Sequence, residues 1–191
     1  MISPKSKLEV EVKFPVGDLA TIETRLKPLG IGDPVERAET DCYFNAPDRD
    51  FAATDEALRL RRIEQANFVT YKGPKKEQTT KTRLEIEVPL ADGDGTAQDF
   101  KRLLVSLGYK PVLDVKKMRR IYGLDRDSLH VEVCLDEVQD LGSFVEIETQ
   151  APETALEEAR AAVLRLAEEL GLQAQERRSY LELLLARRDR K

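Results

Sequence analysis

The sequence predicts an α+β fold in which short antiparallel strands carry helices on their outside. Three observations predict it. First, glutamate alternates with apolar residues at Glu9-Val10-Glu11-Val12-Lys13-Phe14, Leu84-Glu85-Ile86-Glu87-Val88 and Val145-Glu146-Ile147-Glu148, and that alternation is the period of a β-strand. Second, each of these strands is followed by a helical stretch ending in Leu-Gly, at Leu29-Gly30, Leu107-Gly108 and Leu170-Gly171. Third, the strands between the copies are joined by tight turns, as hairpins are. Pattern leaves two arrangements open for the sheet, a closed barrel or two facing sheets. The whole chain, residues 1–191, reads as a single domain with this repeat inside it.

Taken in order, a strand from about Lys7 to Pro15 leads to Asp18, the N-cap of a helix. Leu19, Ile22, Leu26 and Leu29 make its apolar stripe and Gly30 stops it. Val35 to Asn45 follows as a strand with Asp41 and Tyr43 on one face and Cys42 and Phe44 on the other. Asn45 to Asp55, with Pro47 and several aspartates, is a loop. Ala57 to Gln65 and Asn67 to Lys72 form a hairpin turning around Ala66-Asn67, and Gly73-Pro74-Lys75-Lys76 is a turn. Thr79 to Leu90 is the second Glu-x-Glu strand. A helix from Thr96 to Leu107 comes after the Asp92–Gly95 turn and stops at Gly108. Lys110 to Leu124 is a long strand, with Asp125-Arg126-Asp127 turning into His130 to Val138. Gln139 to Gly142 then turns into Ser143 to Thr149. The last helices run from Pro152, at the first helical position, to Leu170 and from about Arg178 to Arg188.

Hydrophobic residues make up 41% of the chain and charged residues 35%, the balance of a soluble protein with unusually many charges to place. No apolar run is long enough to span a bilayer, and Met1 to Lys7 lacks the apolar stretch of a signal peptide. Two distant cysteines, Cys42 and Cys134, fit a reducing cytoplasm better than a disulfide framework. His130 is the only histidine, which excludes zinc chemistry built on several histidines. A net charge of −5 argues against a nucleic-acid partner. Within this acidic chain, Arg59, Arg61, Arg62, Lys72, Lys75, Lys76, Lys81 and Arg83 form a basic block opposed only by Glu64 and Glu77. That block points to a compact anion.

A charged face repeated strand after strand suggests that the charges line a shared interior. Buried ions need partners, and mutual salt bridging would supply many. Grouped carboxylates facing fixed cations also match a metal-chelated polyphosphate. Hard Mg²⁺ or Mn²⁺ takes carboxylate and phosphate oxygens, and Arg and Lys take the remaining phosphate oxygens. No P-loop is present, because Gly73-Pro74-Lys75-Lys76 lacks the spacing. The residues alone therefore read as a metal-dependent polyphosphate site.

Glu9-x-Glu11-x-Lys13 resembles the ExExK signature of the CYTH, or triphosphate-tunnel metalloenzyme, superfamily. Leu58-Arg59-Leu60-Arg61, Tyr71-Lys72-Gly73-Pro74, Arg83-x-Glu85-x-Glu87 and Lys117-x-Arg119-x-x-Tyr122 follow in the family's order. Leu135-Asp136-x-Val138, Leu141-Gly142-x-Phe144-Val145-Glu146-Ile147-Glu148 and Ser179-Tyr180-Leu181-Glu182 complete it. The resemblance implies an eight-stranded antiparallel β-barrel whose tunnel binds a triphosphate with divalent cations, Mg²⁺ or Mn²⁺. It implies Glu9, Glu11 and Glu146 as metal ligands with Glu148 beside them. Lys13, Arg59, Arg61, Lys72, Lys117 and Arg119 are implied as phosphate-binding residues, and Glu85 and Glu87 as carboxylates of the surrounding wall. Glu9, Glu11, Lys13, Arg59, Arg61, Lys72, Arg119 and Asp136 make up the implied catalytic set.

The span from Leu135 to Glu148 and the Ser-Tyr-Leu-Glu ending look most like the class IV adenylyl cyclase group. The expected reaction is therefore conversion of ATP to 3′,5′-cyclic AMP and pyrophosphate. The alternatives are hydrolysis of inorganic, thiamine or nucleoside triphosphate, and a non-catalytic polyphosphate or nucleotide sensor. The expected partner is a triphosphate-containing small molecule, ATP foremost, with no nucleic acid and no membrane; a homodimer is expected on analogy alone.

Overall fold

The computed structural model describes residues 8–76 and 80–189. Among the described residues, eight strands and four α-helices follow in the order β1 (Leu8–Val16), α1 (Leu19–Leu26), β2 (Val35–Asn45), β3 (Ala57–Ile63), β4 (Ala66–Lys72), β5 (Arg83–Leu90), α2 (Asp94–Ser106), β6 (Lys110–Arg126), β7 (Leu129–Val138), β8 (Gly142–Ala151), α3 (Leu156–Glu169) and α4 (Tyr180–Arg188). The strands close into one antiparallel barrel in the order β1-β5-β4-β3-β2-β6-β7-β8. Closure leaves no sheet edge to protect and settles the choice between a barrel and two sheets. Among the described residues, no helix is long and apolar enough to cross a membrane.

The alternation seen in the sequence sorts each strand between core and lumen. On β1, Val10, Val12 and Phe14 face outward into the main core, and Leu8 on the same side is also buried. There they meet Val131, Val133 and Leu135 of β7 and Val145 and Ile147 of β8, under Ile22 and Leu26 of α1 and Val163 and Leu166 of α3. Each fully buried aliphatic side chain contributes roughly 1.5–3 kcal/mol. A second cluster packs Cys42 and Leu60 on the outside of β2 and β3 against Ala97 and Leu104 of α2. In the third, Val115, Val138 and Phe144 meet Tyr180 of α4. Those three sit at alternate positions with Lys117, Asp136 and Glu146, so the interior turns apolar where α4 packs.

Turn chemistry shifts several predicted boundaries. The β6–β7 hairpin turns at Asp127-Ser128, not at Asp125–Asp127, with Arg126 opposite Leu129. Both turn residues have positive φ, 52° and 64°, the two-residue geometry that suits a twisted hairpin. The β3–β4 turn is Glu64-Gln65, with Glu64 at φ 54°, so Ala66 and Asn67 already belong to β4. α2 begins at Asp94, two residues before the predicted Thr96, because Gly93 at φ 99° makes the turn into it. Pro152 caps a single 3-10 turn, Glu153–Ala155, rather than opening the α-helix, which starts at Leu156. α4 begins at Tyr180 because Ser179 and Glu182 form a reciprocal capping box. The last strand extends to Ala151, and the Glu85/Glu87 strand begins at Arg83. Lys7 and Thr79, the predicted starts of two strands, and Glu77 lie outside the described residues.

Candidate functional site

The lumen is a cavity of about 470 Å³ lined by the inward positions of the barrel strands, by Lys81 and by one face of α4. This is within the range of about 300–1,000 Å³ that holds a small organic ligand. One wall is acidic. Glu9 and Glu11 of β1 stand beside Glu148 of β8, with one carboxylate oxygen from each within 4.8 Å of the others. Their closeness follows from register, since Glu11 lies directly opposite Glu148. Burial and then the neighbouring Glu9 carboxylate push the Glu148 carboxyl up to about 8. Glu148 is the member of the trio with no ion pair among the described residues, whereas Lys72 holds Glu9 and Lys81 holds Glu11. Three clustered carboxylates are the donor set of a hard divalent cation, so these residues fit one.

The facing walls are basic. Arg59 and Arg61 come from β3, Lys72 from β4, Lys117 and Arg119 from β6; Lys81 and Arg83 come from the start of β5 and the connection before it. Carboxylates hold most of these cations in place. Asp41 accepts a fork from Arg61, Nε to Oδ1 and Nη2 to Oδ2 both at 2.7 Å, and pairs with Arg59 at 3.3 Å. Glu39 lies between Arg61 and Lys117, 3.0 Å from each. Despite burial, these cations hold both carboxyls far below the usual carboxylate range. Lys72 joins Glu9 and Glu85, each at 2.7 Å.

Arg119 forks onto Asp136 at 2.7 and 2.5 Å and also pairs with Glu146. Burial and the adjacent Lys81 draw Lys13 down to about 7; it lies 3.8 Å from Glu146 and 4.0 Å from the Tyr180 ring centre. Pairing leaves donors over. Lys13 Nζ, Arg59 Nε and Arg83 Nε are buried yet make no hydrogen bond to a described residue. Buried donors are nearly always satisfied, so this cavity has bonds to offer an anion.

Nearly all the sequence-predicted residues meet in this space: Glu9, Glu11, Lys13, Arg59, Arg61, Lys72, Glu85, Glu87, Lys117, Arg119, Glu146 and Glu148 all line it. Asp136 does not. It is fully buried behind Arg119 and accepts a 2.7 Å hydrogen bond from the Tyr180 hydroxyl, so it aims Arg119 rather than facing the cavity. Glu146 is turned toward Arg119 and Lys13, and Glu148 takes the place beside Glu9 and Glu11. Glu87 is exposed at the rim and accepts from the Thr70 hydroxyl at 2.9 Å.

Sequence reasoning missed Glu39 and Asp41 as partners of the basic residues. Their signal was the Arg37-x-Glu39-x-Asp41 alternation, the same grammar as Glu9-x-Glu11. It counted Lys81 in the basic block but missed its pairing with Glu11, although its parity matches Arg83 and Glu85. Beyond the charged ring, Tyr43, Phe51, Val112, Leu181 and Leu185 line the same cavity. Cys134 is buried in the barrel wall and His130 is exposed beside Asp125.

The strands form a closed antiparallel barrel whose charged lumen has acids facing bases, with a carboxylate trio and cationic donors that make no hydrogen bond to a described residue. Comparison with known proteins supplies the family: the chain belongs to the CYTH domain family, whose profile matches residues 7–180. A Methanocaldococcus jannaschii protein named "Putative adenylate cyclase MJ0240" is 42% identical over 141 residues, 74% of this chain and 76% of that one. The Aeromonas hydrophila protein named adenylate cyclase CyaB is 28% identical, across 94% of this chain and 90% of its own. Among solved structures, the PH1819 protein of Pyrococcus horikoshii superposes with a TM-score of 0.83 at 39% identity, covering 94% of this chain and 99% of that one.

Proposed function

We propose that the barrel is a metal-dependent enzyme acting on an organic triphosphate, and that its reaction is the adenylyl cyclase type, ATP to 3′,5′-cyclic AMP and pyrophosphate. The observation that carries the triphosphate reading is the set of buried, unbonded donors on Lys13, Arg59 and Arg83 opposite the Glu9, Glu11 and Glu148 carboxylates. The names of the two curated relatives support the choice of cyclisation. The apolar lining at Tyr43, Val112, Leu181 and Leu185 supports a substrate with an organic portion beyond its phosphates.

In this reading Glu9, Glu11 and Glu148 hold Mg²⁺ or Mn²⁺, with Glu146 close by. Bound there, the ion would neutralise phosphate oxygens and lower the pKa of the ribose 3′-hydroxyl. Arg59, Arg61, Lys72, Lys117 and Arg119 bind phosphate oxygens from the facing walls, and Lys13 approaches from the acidic side. In the reaction the 3′-hydroxyl gives its proton to water, its oxygen bonds to the α-phosphorus, the bond from that phosphorus to its bridging oxygen breaks, and pyrophosphate leaves. The cations stabilise the charge that builds on the pyrophosphate. Asp136 and Tyr180 contribute by fixing the guanidinium of Arg119.

The test is incubation with Mg²⁺ or Mn²⁺ and, separately, ATP, inorganic triphosphate and thiamine triphosphate. Cyclic AMP with equimolar pyrophosphate from ATP is expected. Orthophosphate release from any of the three would replace cyclisation by hydrolysis, in which water attacks the terminal phosphorus. Tight binding with no product would make the barrel a sensor.

A further inference from the structure

The carboxylate trio already holds a positive charge from the chain itself. Lys81 precedes β5, outside any strand, yet its amide donates to the Glu11 carbonyl at 2.9 Å. That bond continues the β1–β5 ladder in step. Leu8 faces Leu84, Glu9 faces Arg83, and two residues further on Lys81 falls opposite Glu11. Period-two alternation then sends the Lys81 side chain to the lumen side, with Arg83 and Glu85. There its ammonium, buried from solvent, donates to Glu11 Oε1 at 2.6 Å.

We propose that Lys81 is a built-in counter-cation, holding Glu11 while the barrel is free of metal, and that a divalent ion binds by taking Glu11 from it. The proposal rests on the metal reading of Glu9, Glu11 and Glu148.

Geometry makes the two cations competitors. An ammonium 2.6 Å from Oε1 stands about where a metal ligated by that oxygen would stand, since metal–oxygen distances run to roughly 2.0–2.6 Å. Both cannot occupy that position. Lys72, the ammonium on Glu9, differs because Glu85 also holds it at 2.7 Å. Lys81 has Glu11 as its one ion-pair partner among the described residues. The backbone bond to Glu11 anchors Lys81 whichever way its side chain points, so exchange requires only side-chain rotation. The freed ammonium stays inside the cavity, where it can meet a phosphate oxygen.

The experiment is Mn²⁺ titration of the protein with no triphosphate present, following free Mn²⁺ by electron paramagnetic resonance. Lys81→Met removes the competing charge and keeps the apolar stem, and is expected to tighten Mn²⁺ binding by roughly tenfold or more, as deleting one nearby like charge predicts. Lys81→Gln is a second variant of the same sense, in case the first fails to fold; Lys81→Arg should bind as the parent does. Glu11→Gln serves as the reference and should weaken binding. If Glu11→Gln weakens binding while Lys81→Met and Lys81→Gln leave it unchanged or weaker, the counter-cation proposal is wrong and the metal site stands. If Glu9→Gln and Glu11→Gln both bind Mn²⁺ like the parent, the metal reading itself fails, and this proposal with it.

Discussion

Replacing Asp136 by asparagine tests whether this carboxylate is a buried brace for Arg119. Asp136 is fully buried and lies directly across the β6–β7 ladder from Arg119, which it grips through two charge-assisted bonds at 2.7 and 2.5 Å. Tyr180 adds a third at 2.7 Å. Removing one partner of a buried ion pair costs about 3–5 kcal/mol, because the other charge stays buried. Asparagine keeps one acceptor oxygen and Arg119 keeps Glu146, so we expect the lower end, about 3 kcal/mol. In a chain of this size each kcal/mol shifts Tm by about 2–4 °C, so Tm should fall by roughly 6–12 °C. Urea unfolding followed by circular dichroism measures the loss, with an unchanged m-value expected. Tyr180→Phe should cost less, and the double variant should lose less than the sum, since both act on the same carboxylate. An Asp136→Asn protein within about 1 kcal/mol of the parent would refute the brace.

Three further outcomes are expected. Glu9→Gln and Glu11→Gln should each reduce metal-dependent turnover to background while leaving the circular dichroism spectrum unchanged; full turnover in both would show the metal assignment to be wrong. Asp41 and Glu39 sit below their ordinary values of 3.8 and 4.5, so their stabilisation is complete above those values and lost as pH falls toward the depressed folded ones. Urea unfolding should therefore show stability dropping below about pH 4.5, and Asp41→Asn should be less stable at pH 7 with a flatter acid limb. Ile147→Ala, in the fully buried centre of the main core, should cost about 2–5 kcal/mol by the same unfolding measurement.

The strands and their inner faces were legible because period-two alternation survives in a barrel whose lumen is as charged as a surface. Glu9, Glu11 and Lys13 read as polar because they are, and only their repetition hinted at enclosure. Boundaries were harder. Glu64 adopts a left-handed backbone conformation with no turn letter to mark it, and Asp127, the end of the predicted turn, shares that conformation with Ser128, one residue beyond it. Partner choice was least legible of all. Nothing in the local pattern says that Arg61 will fork onto Asp41, or that Glu148, not Glu146, will stand with Glu9 and Glu11. Those pairings depend on register between strands, consecutive for β2 and β3 but at opposite ends of the chain for β1 and β8.

Among the described residues, strand β1 meets β8 along nine residue pairs but β5 along two, Leu8 with Leu84 and Glu9 with Arg83, extended by the bond from the Lys81 amide to the Glu11 carbonyl. A ring parts most easily where the fewest amides bind neighbouring staves. The sparse seam runs beside Glu9 and Arg83, whereas the β2–β6–β7–β8 arc is laddered along its length. The guanidinium row of Arg59, Arg61 and Arg119 thus stands on strands paired along both edges, away from the seam with the fewest backbone bonds.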